Sequence, residues 1–284
     1  MKIRFEVVCL ITALSVRIPE QKKGLRAFAS RLRGDRVEVK TSSARGVTLR
    51  HIIYTSYSGE LKLEKTFDAV GAQRSRILCS ERLVFPRQSG YRRFFSTAFS
   101  SRLCTNFALE VLSACKNAAG LRVAIYDPAA YCADFLLSVL EHCSDVAVVT
   151  SCFEPYSCAA RRALEELGAA AMITKNRSEL SQRDLIIAPQ RIAEELPLSA
   201  DSVTLTASKP PEKTAGTLLY SYRFKMPNGF SLIKPKELSE EYFCSALYTI
   251  GEQYELGSIV PLTVCGVREE YDAKTLAKFL DKRI

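Results

Sequence analysis

Asp127 ends the apolar run Val-Ala-Ile-Tyr-Asp at 123–127 and is followed by Pro128, Ala129 and Ala130. A carboxylate at the end of a buried strand can accept a phosphoryl group or hold a divalent cation, but both chemistries need a second acid close by. Ala129 stands where that acid would serve. The same carboxylate can instead cap the helix that follows, accepting amide hydrogens from its first turn, and proline is favoured as the first helical residue. Asp-Pro therefore predicts a helix start closed by its own side chain. A carboxylate already holding those amides occupies the donors a phosphate would use and repels an incoming anion.

Thr150 and Ser151 end a second apolar run, and Lys175 with Asn176 follows a third, so these four join Asp127 as candidates to line a cleft and meet a ligand. Ser151 has no base at a useful spacing, since His142 lies at the far end of the preceding helix, so no nucleophilic triad is expected. A metal site is not expected either, because neither His51 nor His142 has a Cys, Asp or Glu at ligand spacing. A different chemistry is written at 87–102, where Arg92 and Arg93 adjoin Phe94 and Phe95. Arginines for phosphates beside rings for bases suit single-stranded nucleic acid. The same composition also suits a domain junction with buried rings.

The elements that must position these residues follow from hydrophobic period. Apolar runs starting at 121, 145 and 169, with further runs at 184 and 202, read as strands buried on both faces. Between the first two, Cys132, Phe135, Leu136, Val139, Leu140 and Cys143 form one helical stripe. Between the second and third, Ala160, Ala163, Leu164 and Leu167 repeat it, with Ser157 expected as cap and Gly168 as stop. Parallel strands with right-handed crossovers are predicted. Ahead of them, 22–35 reads as a basic helix, 36–40, 47–56 and 60–67 as strands, 76–86 as a possible further strand, and 99–120 as a helix. Residues 217–235 read as a hairpin turning at Pro227–Gly229, followed by a helix capped by Ser239 and a last helix from about Asp272 to Lys282.

Residues 121–207 resemble the Rossmann-type NAD(P)-binding domains of shikimate dehydrogenases and glutamyl-tRNA reductases. The likeness rests on VAIYD, DVAVVTS, ALEELGAAAMIT and the short link to DLIIAP. It implies a nicotinamide dinucleotide with its pyrophosphate on a glycine-rich first turn and an acid, or a nearby arginine for NADP, after the second strand. This chain has Asp127-Pro-Ala-Ala at the first place and Thr150-Ser151-Cys152 at the second.

The chain of 284 residues carries a formal charge of +9, unevenly shared: residues 1–120 hold 22 Lys and Arg against 9 Asp and Glu, and residues 121–284 hold 18 against 22. The basic character thus belongs to the first part. The run at 7–16 is too short to span a bilayer and reads as a first strand or buried segment. Ten cysteines with no C-x-x-C pair point to a reducing compartment, the cytoplasm.

The fold class expected is α/β: a doubly wound parallel sheet over 121–207, a smaller mixed α+β N-terminal domain, and a C-terminal hairpin with helices. Domain limits are expected at 1–118, 119–210 and 211–284. The function expected is non-catalytic ligand binding or regulation with no cofactor, through a small molecule or protein partner and without a membrane. The alternatives are an NADP- or NAD-dependent oxidoreductase whose first domain holds the substrate, and a nucleic-acid-binding protein using the basic first part.

Overall fold

The structure, a computed structural model, describes residues 9–19 and 34–283. The helix expected at 22–35 falls almost wholly outside the described residues. In chain order the strands are β1 (Cys9–Arg17), β2 (Arg36–Ala44), β3 (Val47–Thr55), β4 (Leu78–Cys79), β5 (Arg122–Tyr126), β6 (Asp145–Val149), β7 (Met172–Thr174), β8 (Leu185–Ala188), β9 (Val203–Thr206), β10 (Thr217–Leu219), β11 (Ser221–Arg223), β12 (Thr263–Cys265) and β13 (Glu270–Tyr271). The α-helices are α1 (Phe67–Val70), α2 (Ala98–Ala114), α3 (Phe135–Leu140), α4 (Phe153–Leu167), α5 (Phe230–Ile233), α6 (Glu240–Thr249) and α7 (Ala273–Asp281).

The chain divides into two compact units, one of residues 1–96 with 226–256 and the other of 97–225 with 257–284. The first holds a mixed sheet in the order β2-β3-β1-β4, with β3 and β4 parallel to β1 and β2 antiparallel to β3. Alternation explains β2, whose outer face is polar. The β-branched run of β3 explains its burial, with Ile52, Ile53 and Tyr54 at 2% exposure or less. Leu14, Ile52, Tyr54, Val70, Ile77 and Tyr91 form its core. Residues 63–70 are a 3-10 turn and α1 rather than the strand expected at 60–67. Their alternating pattern is satisfied by a short helical segment packed on that core, with Thr66 fully buried and bonded to the Tyr91 hydroxyl at 2.8 Å.

The second unit holds six parallel strands in the order β10-β9-β8-β5-β6-β7. The chain starts at the centre with β5, moves out through β6 and β7, and returns through β8 to β10 on the other side. This is the doubly wound, Rossmann-like arrangement, and its crossing point lies between β5 and β8. Burial of β5, β6, β8 and β9 on both faces leaves Val123, Ala124, Ile125, Ile186 and Leu205 fully covered. Each large aliphatic side chain so buried contributes about 1.5–3 kcal/mol. Arg122 clips the amino ends of β5 and β8 together through the Asp184 carboxylate at 2.7 and 3.1 Å. Helix α2 packs in this unit, with Phe99 edge-on to Phe224 and Phe107 edge-on to Tyr222.

The C-terminal antiparallel hairpin is made by β12 and β13. The hairpin expected at 217–235 does not form. β10 instead joins the parallel sheet, β11 pairs with β12, and 226–256 belong to the first unit. The turn residues Pro227–Gly229 lead into α5 instead, Gly229 taking a φ of 97°. Helix α6 has the expected Ser239 cap, which accepts from the Tyr242 amide, and Asp272 caps α7 by accepting from the Thr275 amide.

Candidate functional site

The carboxyl ends of β5, β6 and β7 meet at one edge of the parallel sheet, and Tyr126, Pro128, Thr150, Ser151, Lys175 and Arg177 line a shallow recess there. Backbone bonds hold the three ends in register: the Asp127 amide donates to Val149 at 3.1 Å, the Thr150 amide to Thr174 at 2.9 Å and the Ser151 amide to Pro128 at 3.1 Å. The strand order puts β7 beside β6, so Lys175 and Arg177 come to Ser151 although 24 and 26 residues separate them in the chain.

Asp127 does not point into this recess. Its side chain is fully buried, and Oδ2 accepts from the Cys132 amide at 2.8 Å and from the Tyr156 hydroxyl at 3.0 Å. Its Oδ1 is buried with no hydrogen-bond partner among the described residues. Burial and the Asp127 charge push the Tyr156 phenol far up, so it stays a donor. Burial, then the same carboxylate, pushes the Cys132 thiol up to about 11.

The helix expected to start at Pro128 starts only at Phe135, and residues 128–134 are turns. Asp127 is therefore the anchor of a turn, not an N-cap, because its carboxylate reaches across five residues to Cys132 instead of the first helical amides. Ala130 sits at φ 55°, the left-handed region that favours glycine. Ser157 lies inside α4, which Cys152 precedes, so it does not cap that helix. Gly168 ends α4 at φ 65° as expected.

Thr150 is buried, and its hydroxyl accepts from the Cys152 amide at 3.1 Å and turns toward the Pro128 and Cys152 carbonyls. Ser151 is exposed. The Lys175 ammonium lies 5.2 Å from the centre of the Phe153 ring, and Arg177 pairs with Glu194 at 2.6 Å. Asn176 turns away, its Oδ1 accepting from the Ser178 amide at 3.1 Å and hydroxyl at 2.8 Å. Thr150, Ser151 and Lys175 thus share one recess, while Asp127 and Asn176 are engaged in local structure. Tyr126 and Arg177 were missed by sequence reasoning. Arg177 had a signal, a second cation two residues after Lys175 at the end of a strand.

The residues at 92–95 belong to the first unit. Phe94 is buried against Tyr242 at a centroid distance of 6.1 Å, Phe95 is 70% exposed, Arg92 is exposed, and Arg93 stacks on the Tyr242 ring at 4.3 Å.

A nicotinamide dinucleotide is the cofactor that the resemblance of 121–207 implies. At its pyrophosphate the residues do not fit the glycine-rich mode: Pro128 has no amide hydrogen, Ala129 and Ala130 carry Cβ atoms, and Asp127 holds the Cys132 amide. At its adenosine end the recess presents one hydroxyl, Ser151, and two cations, Lys175 and Arg177, the latter paired with Glu194. Among the described residues no group of three or more His, Cys, Asp and Glu is placed to hold a metal ion, and no helix is long and apolar enough to cross a membrane.

No family model matches the chain, and no curated protein matches it in sequence. Among solved structures it is similar to the Δ1-pyrroline-2-carboxylate reductase of Thermococcus litoralis, in complex with NADH and L-proline, at 12% identity and a TM-score of 0.28 over 66% of this chain and 67% of that one. It is also similar to the L-tryptophan dehydrogenase of Nostoc punctiforme, at 11% identity and a TM-score of 0.31 over 96% of this chain and 88% of that one. The expectation of no cofactor is corrected by these matches, a reductase holding NADH and a dehydrogenase.

Proposed function

We propose that the chain is a nucleotide-binding protein of the NAD(P)-dependent oxidoreductase type, and that Ser151, Lys175 and Arg177 take the phosphate at the adenosine end of an NADP-class ligand. The observation that carries this reading is the pair of cations beside Ser151 at the carboxyl edge of a doubly wound sheet, where β6 ends without the acid that suits an unphosphorylated ribose. The likeness of 121–207 to the domains of shikimate dehydrogenases and glutamyl-tRNA reductases supports it. When bound, such a cofactor supplies hydride transfer. The residues of this edge bind and orient: Lys175 and Arg177 give charge, Ser151 a hydroxyl, and the Tyr126 ring an apolar floor. Ten free cysteines support a cytoplasmic setting.

Calorimetric titration of the full chain with NADPH, NADH and 2′-AMP tests this. Tighter binding of NADPH than NADH, with 2′-AMP competing and with both lost in a Lys175→Ala/Arg177→Ala variant, is the expected result. Equal binding of NADPH and NADH, or indifference to the double substitution, overturns it.

A second reading, ligand binding or regulation without catalysis, is favoured by Asp127, which closes the turn on which a pyrophosphate would rest. Binding of 2′-AMP as tight as that of NADPH favours this second reading, since the rest of the dinucleotide then adds nothing.

A further inference from the structure

The first unit contains a cavity of about 330 Å³ at the carboxyl end of β4, lined by Ser80, Glu81, Arg82, Arg93, Glu237 and Tyr242 among others. Its volume is at the small end of ligand cavities and suits a small metabolite. Arg93 is far less exposed than the carboxylate it meets, at 27% against 86% for Glu81. Its guanidinium is oriented from behind by fixed partners. Nε donates to the Cys79 carbonyl at 3.2 Å, and Cζ lies 4.3 Å from the centre of the Tyr242 ring. Tyr242 is itself pinned, its hydroxyl donating to the Phe94 carbonyl at 2.9 Å and its amide to Ser239 at 3.3 Å. The Arg93 backbone is held as well, by a bridge to Ile77 next to β4.

The remaining contact is of another kind. Nη2 of Arg93 meets Glu81 at 3.2 Å, a side chain almost wholly in water. An exposed pair of this sort is worth little and exchanges readily. A guanidinium edge held from behind, whose own carboxylate partner is solvent-exposed, is a ready seat for another carboxylate, since the planar fork matches that group in two parallel bonds. Glu81 and Glu237 balance Arg82 and Arg93 around the cavity, so a second negative charge on the ligand meets repulsion.

We propose that this cavity is a binding site for a small monocarboxylic acid, whose carboxylate displaces Glu81 from the Arg93 guanidinium. The site stands on the first unit alone and does not rest on the nucleotide reading.

Titration of the full chain, without nucleotide, against pyruvate, L-lactate and L-alanine, followed by the Arg93 Nε–H resonance, tests the proposal, with inorganic phosphate as the competing anion. At least one of the three carboxylates is expected to saturate and to move that resonance. Arg93→Gln is expected to weaken binding about tenfold or more, the scale of a charge-assisted pair. Arg93→Lys keeps the charge without the fork and is expected to weaken it as well. Glu81→Gln removes the competitor and is expected to tighten binding roughly two- to fivefold, the size of an exposed ion pair. Glu81 lies in water, so its variant reports even if the Arg93 variants fail to fold. The proposal is overturned if none of the three acids saturates, if phosphate binds more tightly than all of them, or if Glu81→Gln weakens binding.

Discussion

The Tyr156 hydroxyl on α4 donates to Asp127 Oδ2 at the end of β5 at 3.0 Å, and both groups are fully buried. This single bond ties the first turn of the parallel sheet to the second crossover helix. It also keeps the Asp127 carboxylate out of the recess above the sheet.

Removing either partner leaves the other buried and short of a bond, which costs about 1–3 kcal/mol. Asp127→Ala and Tyr156→Phe are each expected to lose stability on this scale in urea denaturation. Asp127→Asn keeps a carbonyl oxygen for both donors and is expected to lose less than Asp127→Ala. Equal losses for the two Asp127 variants would mean that the oxygen's acceptance is not what the turn depends on.

Ala130 occupies a left-handed backbone conformation, which costs a residue with a Cβ about 1–2 kcal/mol. Glycine relieves that strain but adds entropy to the unfolded chain, so Ala130→Gly is expected to stabilise by up to about 1 kcal/mol. Ala130→Val is expected to destabilise, because a β-branched residue tolerates positive φ least. Thermal denaturation of the pair checks the opposite signs.

Asp35 is buried to 4% exposure and accepts from the Tyr54 hydroxyl at 2.8 Å, the Tyr57 amide at 3.0 Å and Lys65 at 3.3 Å. Burial pushes its carboxyl up, but these donors outweigh burial and hold it well below the usual carboxylate range. A group depressed in the folded state contributes stability that is full above its unfolded pKa, about 3.9, and is lost as pH falls through the lower folded value. Asp35→Ala is therefore expected to be less stable than the parent at pH 7, by about 1–3 kcal/mol for the lost acceptor. The gap should narrow as pH falls below about 4. A gap constant down to the acid transition would show that the charge of Asp35 is not what its donors stabilise.

Phe94 and Phe95 separate the nucleic-acid reading from a packing role. Phe94 is 6% exposed, so Phe94→Ala is expected to cost about 3–5 kcal/mol, whereas Phe95→Ala at 70% exposure should change stability by about 0.5 kcal/mol or less. If Phe95 is a stacking platform beside Arg92, its removal weakens oligo-dT binding by about 1–3 kcal/mol at constant fold. Fluorescence anisotropy at raised salt measures this, and unchanged binding removes that ring from any nucleic-acid surface.

Local signals in the sequence determined the doubly wound sheet. Runs rich in Val, Ile and Ala at 123–126, 146–149 and 185–188 have no polar face and the length of strands covered on both sides, and the stripe between the first two buries Leu136, Val139, Leu140 and Cys143. The stripe expected at Ala160, Ala163, Leu164 and Leu167 does not hold, since α4 buries Tyr156, Ala159 and Ala163 and leaves Leu164 and Leu167 exposed. Gly168, Ser239 and Asp272 were legible for the same reason, because a helix end is closed by residues within a turn of it. The mixed character of the first unit was also legible, through the alternation of β2 and the β-branched run of β3.

Tertiary structure alone decided which groups meet. Asp-Pro reads as a helix cap, and a turn stands there instead, its carboxylate held inward by the Cys132 amide and by the hydroxyl of Tyr156, 29 residues away. Residues 217–235 carry hairpin chemistry, but β9 offered Thr217–Leu219 a buried parallel edge and β12 offered Ser221–Arg223 an antiparallel one. Arg177 entered the recess because β7 pairs with β6, and Tyr242 came under Arg93 because residues 226–256 belong to the first unit. Periodicity is a property of neighbours along the chain, whereas these contacts are set by strand pairing and burial between distant segments, and no local pattern encodes them.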